Sequence, residues 1–237
     1  MPRVKVNGWR FLYRQAGRGP DVVLLPGAAD APAARLLFDA FATDFRVTVY
    51  QWRGGRPNSA SSADMADDLH GLQEKLGLGP SYLVAHGDAA VAALHAAVLY
   101  PDMVAGLVLT EPRLPEARHG GAPNSRSALT TRRILLIEQP VVVTCSPRSS
   151  ALALCRFLEA RLPRCKAESM PDDPARVVAQ IQSSVREMAG VAHESNAVGS
   201  ARASHAALRG PRSRSWPDAG DGYAVARWMS HLSAWRH

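Results

Sequence analysis

The sequence predicts an α/β fold: a mostly parallel sheet with helices on both faces. Three observations carry that prediction. Short β-branched runs alternate with longer helix-like segments from residue 1 to about 188. The runs are continuously apolar, as in strands covered on both sides. The chain has 237 residues, 46% hydrophobic and 21% charged, which suits one globular domain with a real core and excludes wholesale disorder.

The elements follow in order. Asn7-Gly8 between two apolar runs is a strong hairpin signal, so the chain opens with two antiparallel strands over 4–6 and 9–13. Parallel strands are expected at 22–25, 46–51, 82–86, 106–110 and 141–144. Helices are expected at 31–41, 63–76, 89–100, 151–161 and 174–188, the second capped by Ser62 and stopped at Gly77. Residues 113–133, rich in Pro, Gly, Arg and Ser, read as a loop with at most one short helix near its end.

Residues 1–188 form the predicted domain, and 189–237 a C-terminal extension of different composition. That extension holds three of the five Trp and four of the eight His. Its one periodic stretch, Tyr223, Val225, Trp228, Leu232 and Trp235, predicts an amphipathic helix that packs on the domain or on a partner. Sequence from a shifted reading frame is a second reading of the extension.

The net charge of +7 rests on 28 basic residues, only three of them Lys. An Ala- and Arg-rich chain arises readily from GC-rich coding sequence, so the charge alone does not argue for nucleic acid. No stretch reaches the roughly 18 apolar residues of a membrane span, and the N-terminus lacks a signal-peptide core, so the expected location is cytoplasmic. Cys145, Cys155 and Cys165 stand ten apart, which matches no zinc or redox spacing, and are expected as reduced, mostly buried thiols. No metal cluster or phosphate-loop motif occurs, and no cofactor is expected.

The run Leu83-Val84-Ala85-His86-Gly87-Asp88-Ala89-Ala90, followed by a small-residue helix and then Val104-Ala105-Gly106-Leu107-Val108-Leu109, resembles the nucleophile elbow and next strand of the α/β-hydrolase family. Val23-Leu24-Leu25-Pro26-Gly27 is similar to the strand and glycine turn that carry that family's first oxyanion amide. Gln51-Trp52-Arg53-Gly54-Gly55 resembles its Asp-x-Arg-Gly loop, and Ala66-Asp67-Asp68-Leu69 with Leu76-Gly77-Leu78 the helix before the elbow strand. The resemblance covers about residues 5–188 and implies a hydrolase-like fold with little or no cap.

It also implies a triad whose positions this sequence does not fill. A strand-to-helix turn of this tightness strains the nucleophile's backbone and requires small neighbours two residues away, here Ala85 and Ala89. The nucleophile position is then Gly87, which has no side chain to attack with and adopts positive φ without steric cost. A register shifted by one would make Asp88 the nucleophile but put bulky His86 where a small residue is needed. The resemblance assigns the oxyanion amides to Ala28 and Asp88, beside Gly27 and Gly87. Asp88 also reads as a first-turn acid favoured by the helix dipole.

The family's acid follows the strand at 141–144, where Cys145-Ser146-Pro147-Arg148 carries no carboxylate. Glu111 is the substitute, in a place some members use, and also reads as an exposed loop-start residue. The family's histidine belongs after 166–169, where Met170-Pro171-Asp172-Asp173-Pro174 has none, and His193 and His205 are the nearest downstream. His70, His86 and His95 read as packed structural residues.

Two functions are therefore weighed. The first is a degenerate relative without serine-hydrolase activity that binds a small apolar ligand or a protein partner. The second is a noncovalent hydrolase or lyase in which Asp88, Glu111 and His193 perform acid/base work on an ester or carbon acid.

Overall fold

Asn7 and Gly8 both take positive φ, +48° and +84°, the geometry that lets a two-residue turn follow the natural twist of a hairpin. The computed structural model describes residues 1–25, 31–52, 61–113 and 129–190. The turn joins β1 (Arg3–Val6) to β2 (Trp9–Ala16), with Val6 opposite Trp9 and Lys5 opposite Arg10. Six parallel strands follow: β3 (Asp21–Leu25), β4 (Arg46–Trp52), β5 (Ser81–His86), β6 (Val104–Thr110), β7 (Val141–Cys145) and β8 (Cys165–Ser169). The sheet order is β1-β2-β4-β3-β5-β6-β7-β8, with β2 antiparallel to β4 and every later pairing parallel.

The continuous apolar runs divide residue by residue between the two faces, as the period of two requires. Val23, Leu25, Leu83, Ala85, Leu107, Leu109 and Val143 point to the face covered by α2 (Ser62–Leu76), α3 (Ala89–Leu99) and α5 (Leu152–Arg161). Val22, Leu24, Val84, Val108 and Val142 point to the face covered by α1 (Ala31–Phe41) and α6 (Pro174–Ala189). On that second face Phe38, Phe41 and Phe45 pack with Val177, Ile181 and Val185 of α6, and each buried aromatic contributes about 1.5–3 kcal/mol. A short α4 (Thr131–Ile134) closes the Pro- and Gly-rich connection, with Thr130 capping it by accepting from the Arg133 amide.

Helix ends follow from named residues. The cap of α2 is Ser61, one residue before the expected Ser62, because the capping box needs an acid three residues on, and Asp64 supplies it. Asp64 accepts the Ser61 amide at 2.8 Å, and Ser61 accepts the Asp64 amide at 3.1 Å. Gly77 ends the helix at φ +60° as expected. The strands are longer than the apolar runs by one to three residues: Asp21, Ser81 and Val104 join their ladders although polarity or distance from the run hides them. Asp21 is buried because the Arg46 guanidinium grips it, one contact at 2.6 Å, and the Gly79 amide donates to it at 2.9 Å.

Asp68 faces inward beneath the hairpin turn and accepts a 2.9 Å hydrogen bond from the Asn7 side chain. Burial pushes its carboxyl above the usual range, and the charges of Asp64 and Asp67 add to that against the Asn7 hydrogen bond. A raised folded value means that the stability Asp68 contributes is complete below its unfolded value and is lost as pH rises through the folded one. Asp68→Asn, which keeps the acceptor without the charge, should therefore raise the thermal midpoint at neutral pH. The gain should vanish below the ordinary carboxylate value of about 3.9 in a pH series of melts.

The described cysteines are all free, Cys145 and Cys155 buried and Cys165 partly so. Burial, with Glu159 nearby, pushes the Cys165 thiol up to about 12. Among the described residues no helix is long and apolar enough to cross a membrane.

Candidate functional site

At the C-terminal ends of the parallel strands, β5 runs into α3 through Gly87 and Asp88 alone. Gly87 has φ +58°, whereas Asp88 has φ −66° and ψ −27°, so the left-handed residue of the turn is Gly87 and Asp88 is ordinary helical backbone. The turn is held from both sides. The Gly87 amide donates to the Thr110 carbonyl at 3.0 Å, and the Gly87 carbonyl accepts from the Arg113 amide at 3.1 Å and the Ala90 amide at 3.2 Å. Ala85 and Ala89 are buried on either side. Beyond its chain neighbours, no atom of the described residues comes within 4 Å of where a Gly87 Cβ would stand.

Asp88 is exposed at the N-cap position of α3 and makes no side-chain cap. The reading of Asp88 as a first-turn acid is thus shifted by one residue, to the cap itself, because the helix begins at Ala89. His86, the last residue of β5, places Nδ1 3.0 Å from the Thr110 hydroxyl, which lies 3.3 Å from the Ala85 carbonyl. If that hydroxyl donates to the carbonyl, it accepts from His86, which places the imidazole proton on Nδ1. His95 sets Nδ1 3.0 Å from the Val91 carbonyl inside α3, and His70 stacks on Tyr100 at 4.0 Å. All three histidines are packed as expected.

Glu111 is not the exposed residue its loop position suggests. It is only 9% exposed and holds φ +46°, one of two non-glycine residues with positive φ among those described. One carboxylate oxygen accepts the Ser146 amide at 2.7 Å, and the other accepts the Ser149 hydroxyl. The Glu111 amide in turn donates to the Thr144 carbonyl at 2.8 Å. The carboxylate therefore binds the segment after β6 to the segment after β7, with both oxygens occupied. No sequence signal marked Ser146 and Ser149 as its partners, since the three meet only once β6 and β7 pair.

The two carboxylates singled out from sequence, Asp88 and Glu111, thus stand at the same end of the sheet on different strand ends, one exposed and one buried. Gly27, Ala28, the glycines at 54–55 and His193 lie outside the described residues, as does the stretch around Trp228. Among the described residues no group of three His, Cys, Asp or Glu side chains could hold a metal ion.

Comparison with known proteins bears on this arrangement. The family model described as alpha/beta hydrolase fold matches residues 20–132. Among solved structures, an alpha/beta hydrolase from Sphaerobacter thermophilus DSM 20745 superposes with a TM-score of 0.62 at 16% identity, over 77% of this chain and 99% of that one. The chain has the α/β-hydrolase fold. A thermophilic esterase from Thermogutta terrifontis, solved with malate bound, superposes with a TM-score of 0.63 at 22% identity, over 79% and 99%. The meta-cleavage product hydrolase from Pseudomonas fluorescens IP01 gives 0.66 at 13%, over 79% and 98%. In sequence, the chain is 28% identical over 125 residues to the uncharacterized hydrolase YraK of Bacillus subtilis (strain 168), a match spanning 49% of this chain and 46% of that protein. The chain thus matches about half the length of that relative. Within the α/β-hydrolase fold, Gly87 occupies the strand-to-helix turn after β5, and β6 and β7 carry the segments bound together by Glu111.

Proposed function

We propose that this α/β-hydrolase-fold protein lacks serine-hydrolase activity and acts as a binder of a small apolar ligand or of a protein partner. The observation that carries the reading is Gly87 at φ +58°, the one left-handed residue between β5 and α3, which offers no nucleophilic atom. Two further features support it. The segments after β7 and β8, Ser146–Ser149 and Met170–Asp173 by sequence, contain no carboxylate and no histidine respectively. Glu111, the substitute acid, has each oxygen engaged by the segment after β7, one by the Ser146 amide and one by the Ser149 hydroxyl, and no described histidine donates to it.

The test is hydrolysis of short p-nitrophenyl esters by the purified full chain, by Gly87→Ser and by Asp88→Ala. Neither the parent nor Gly87→Ser should exceed the buffer rate, because restoring a hydroxyl does not restore a base to activate it. No described residue obstructs a serine side chain at the Gly87 Cβ, which leaves the positive-φ cost of about 1 kcal/mol that any side chain meets there. Turnover in the parent that disappears in Asp88→Ala would overturn the proposal in favour of a noncovalent enzyme. Turnover gained in Gly87→Ser would show that a base survives, and would also overturn it.

A further inference from the structure

The first twenty residues contain five basic side chains, Arg3, Lys5, Arg10, Arg14 and Arg18, and no acidic one. The hairpin spreads most of them on one face. Strand alternation turns Val4, Val6 and Phe11 towards α2, with Val6 and Phe11 buried beside Leu72, and turns Arg3, Lys5 and Arg10 the other way, into solvent. Arg14, next in that row, is partly neutralised by Asp39 at 3.8 Å and lies over the Phe38 ring, which marks the inner limit of the patch. Lys5 stands directly across from Arg10. Like charges at a cross-strand pair oppose hairpin formation, a local cost the sequence carries at this pair.

The tip itself is exposed. Among the described residues the last β2–β4 pair is Phe11 with Trp52, and residues 7–10 are all exposed. Nothing among the described residues comes within 4 Å of a Cβ built on Gly8. Trp9, 49% exposed, lies on the opposite side of the ribbon from Lys5 and Arg10. On α2, Asp68 is buried on Asn7 and Asp64 is engaged in the Ser61 cap. Because β2 runs against β4, the Asn7-Gly8 turn lies at the same end of the sheet as Gly87, three to four strand spacings away or about 14–19 Å.

We propose that this hairpin tip docks the protein on anionic lipid bilayers, Lys5, Arg10 and Arg3 meeting headgroup charge while Trp9 seats at the interface. An indole with cations close by is the combination such an interface favours. A bilayer surrounds an exposed hairpin tip, so it meets Trp9 and the cations together, whereas a nucleic-acid backbone lying along the basic face would miss the indole. A second copy pairing through β1 is disfavoured, since two such edges set side by side would bring Arg3 and Lys5 against the same charges. Docked this way, the protein presents to the lipid the end of the sheet that carries Gly87.

The experiment is co-sedimentation of the full chain with vesicles of phosphatidylcholine, with and without phosphatidylglycerol, for the parent, for Lys5→Gln with Arg10→Gln, and for Trp9→Ala. The parent should sediment with the anionic vesicles only, and less as salt is raised. Each basic residue near such a surface is worth roughly a fivefold change in partitioning, so the double variant should lose about 25-fold. Trp9→Ala should lose several-fold with the charges intact. The double variant relieves the Lys5–Arg10 repulsion, so its melting point should not fall, and lost binding cannot be put down to unfolding. Absence of sedimentation at low salt, sedimentation unchanged by the hairpin substitutions, or binding to duplex DNA in preference to the vesicles would each overturn the proposal.

Discussion

Replacing Glu111 with Ala should destabilise the fold by roughly 2–4 kcal/mol, seen as a lower urea midpoint with an unchanged slope. The side chain is buried, and its two oxygens satisfy the Ser146 amide and the Ser149 hydroxyl. Alanine leaves the half-buried Ser146 amide and Ser149 hydroxyl without their acceptor, and a donor left unsatisfied on burial costs more than a hydrogen bond ordinarily contributes. Two further variants separate the causes. Glu111→Gly also loses the carboxylate but relaxes the φ of +46°, so it should recover about 1 kcal/mol relative to alanine. Glu111→Gln keeps one acceptor and should fall between the parent and alanine. A Glu111→Ala protein as stable as the parent would mean that the carboxylate is not a structural tie, and would reopen a catalytic role for it.

A second large effect is expected at Gly17, between β2 and β3. Its φ is +80°, and a Cβ there would stand 2.1 Å from the Phe45 carbonyl oxygen and 2.6 Å from that of Ala42. Both atoms are backbone at the α1–β4 junction, and Phe45 is fully buried beneath α1, so no rotamer change can make room. Gly17→Ala should cost more than about 3 kcal/mol and leave much of the protein insoluble, because a backbone clash adds to the left-handed strain. Gly8→Ala supplies the comparison: φ is +84° but no described residue comes within 4 Å of its Cβ, so only the strain of about 1 kcal/mol remains. Equal losses at the two positions, read by chemical denaturation, would refute the clash as the source of the difference.

These two residues also show what could be read from sequence. The hairpin at Asn7-Gly8, the apolar strand cores and the bounds of α1 were legible because each depends on local chemistry: turn residues with positive φ, β-branched runs, and apolar spacing along a helix. The elbow was legible for the same reason, since small residues at Ala85 and Ala89 flank a glycine within eight positions. The burial of Glu111 was not. It depends on Ser146 and Ser149, 35 and 38 residues away, which arrive only through the pairing of β6 with β7. The crowding at Gly17 was hidden likewise, because its neighbours Ala42 and Phe45 approach from a helix end. The cap at Ser61 was missed by one residue, since two adjacent serines offer the same hydroxyl and only the distance to Asp64 chooses between them.

The face that holds Phe38, Phe41 and Phe45 is finished by the last described helix. Arg186 of α6 reaches back to Asp44, with one bond at 2.9 Å across 142 residues of chain, and Gln182 donates to the Ala40 carbonyl at 2.9 Å. During synthesis the aromatic side chains therefore leave the ribosome long before the helix that covers them exists. At about 5–20 residues per second the interval between Asp44 and Arg186 is roughly 7–28 s. For that time β3, α1 and β4 carry an uncovered apolar surface. The moment at which this protein is most exposed to aggregation is thus set by the order in which its chain is made, with the N-terminal half waiting on α6.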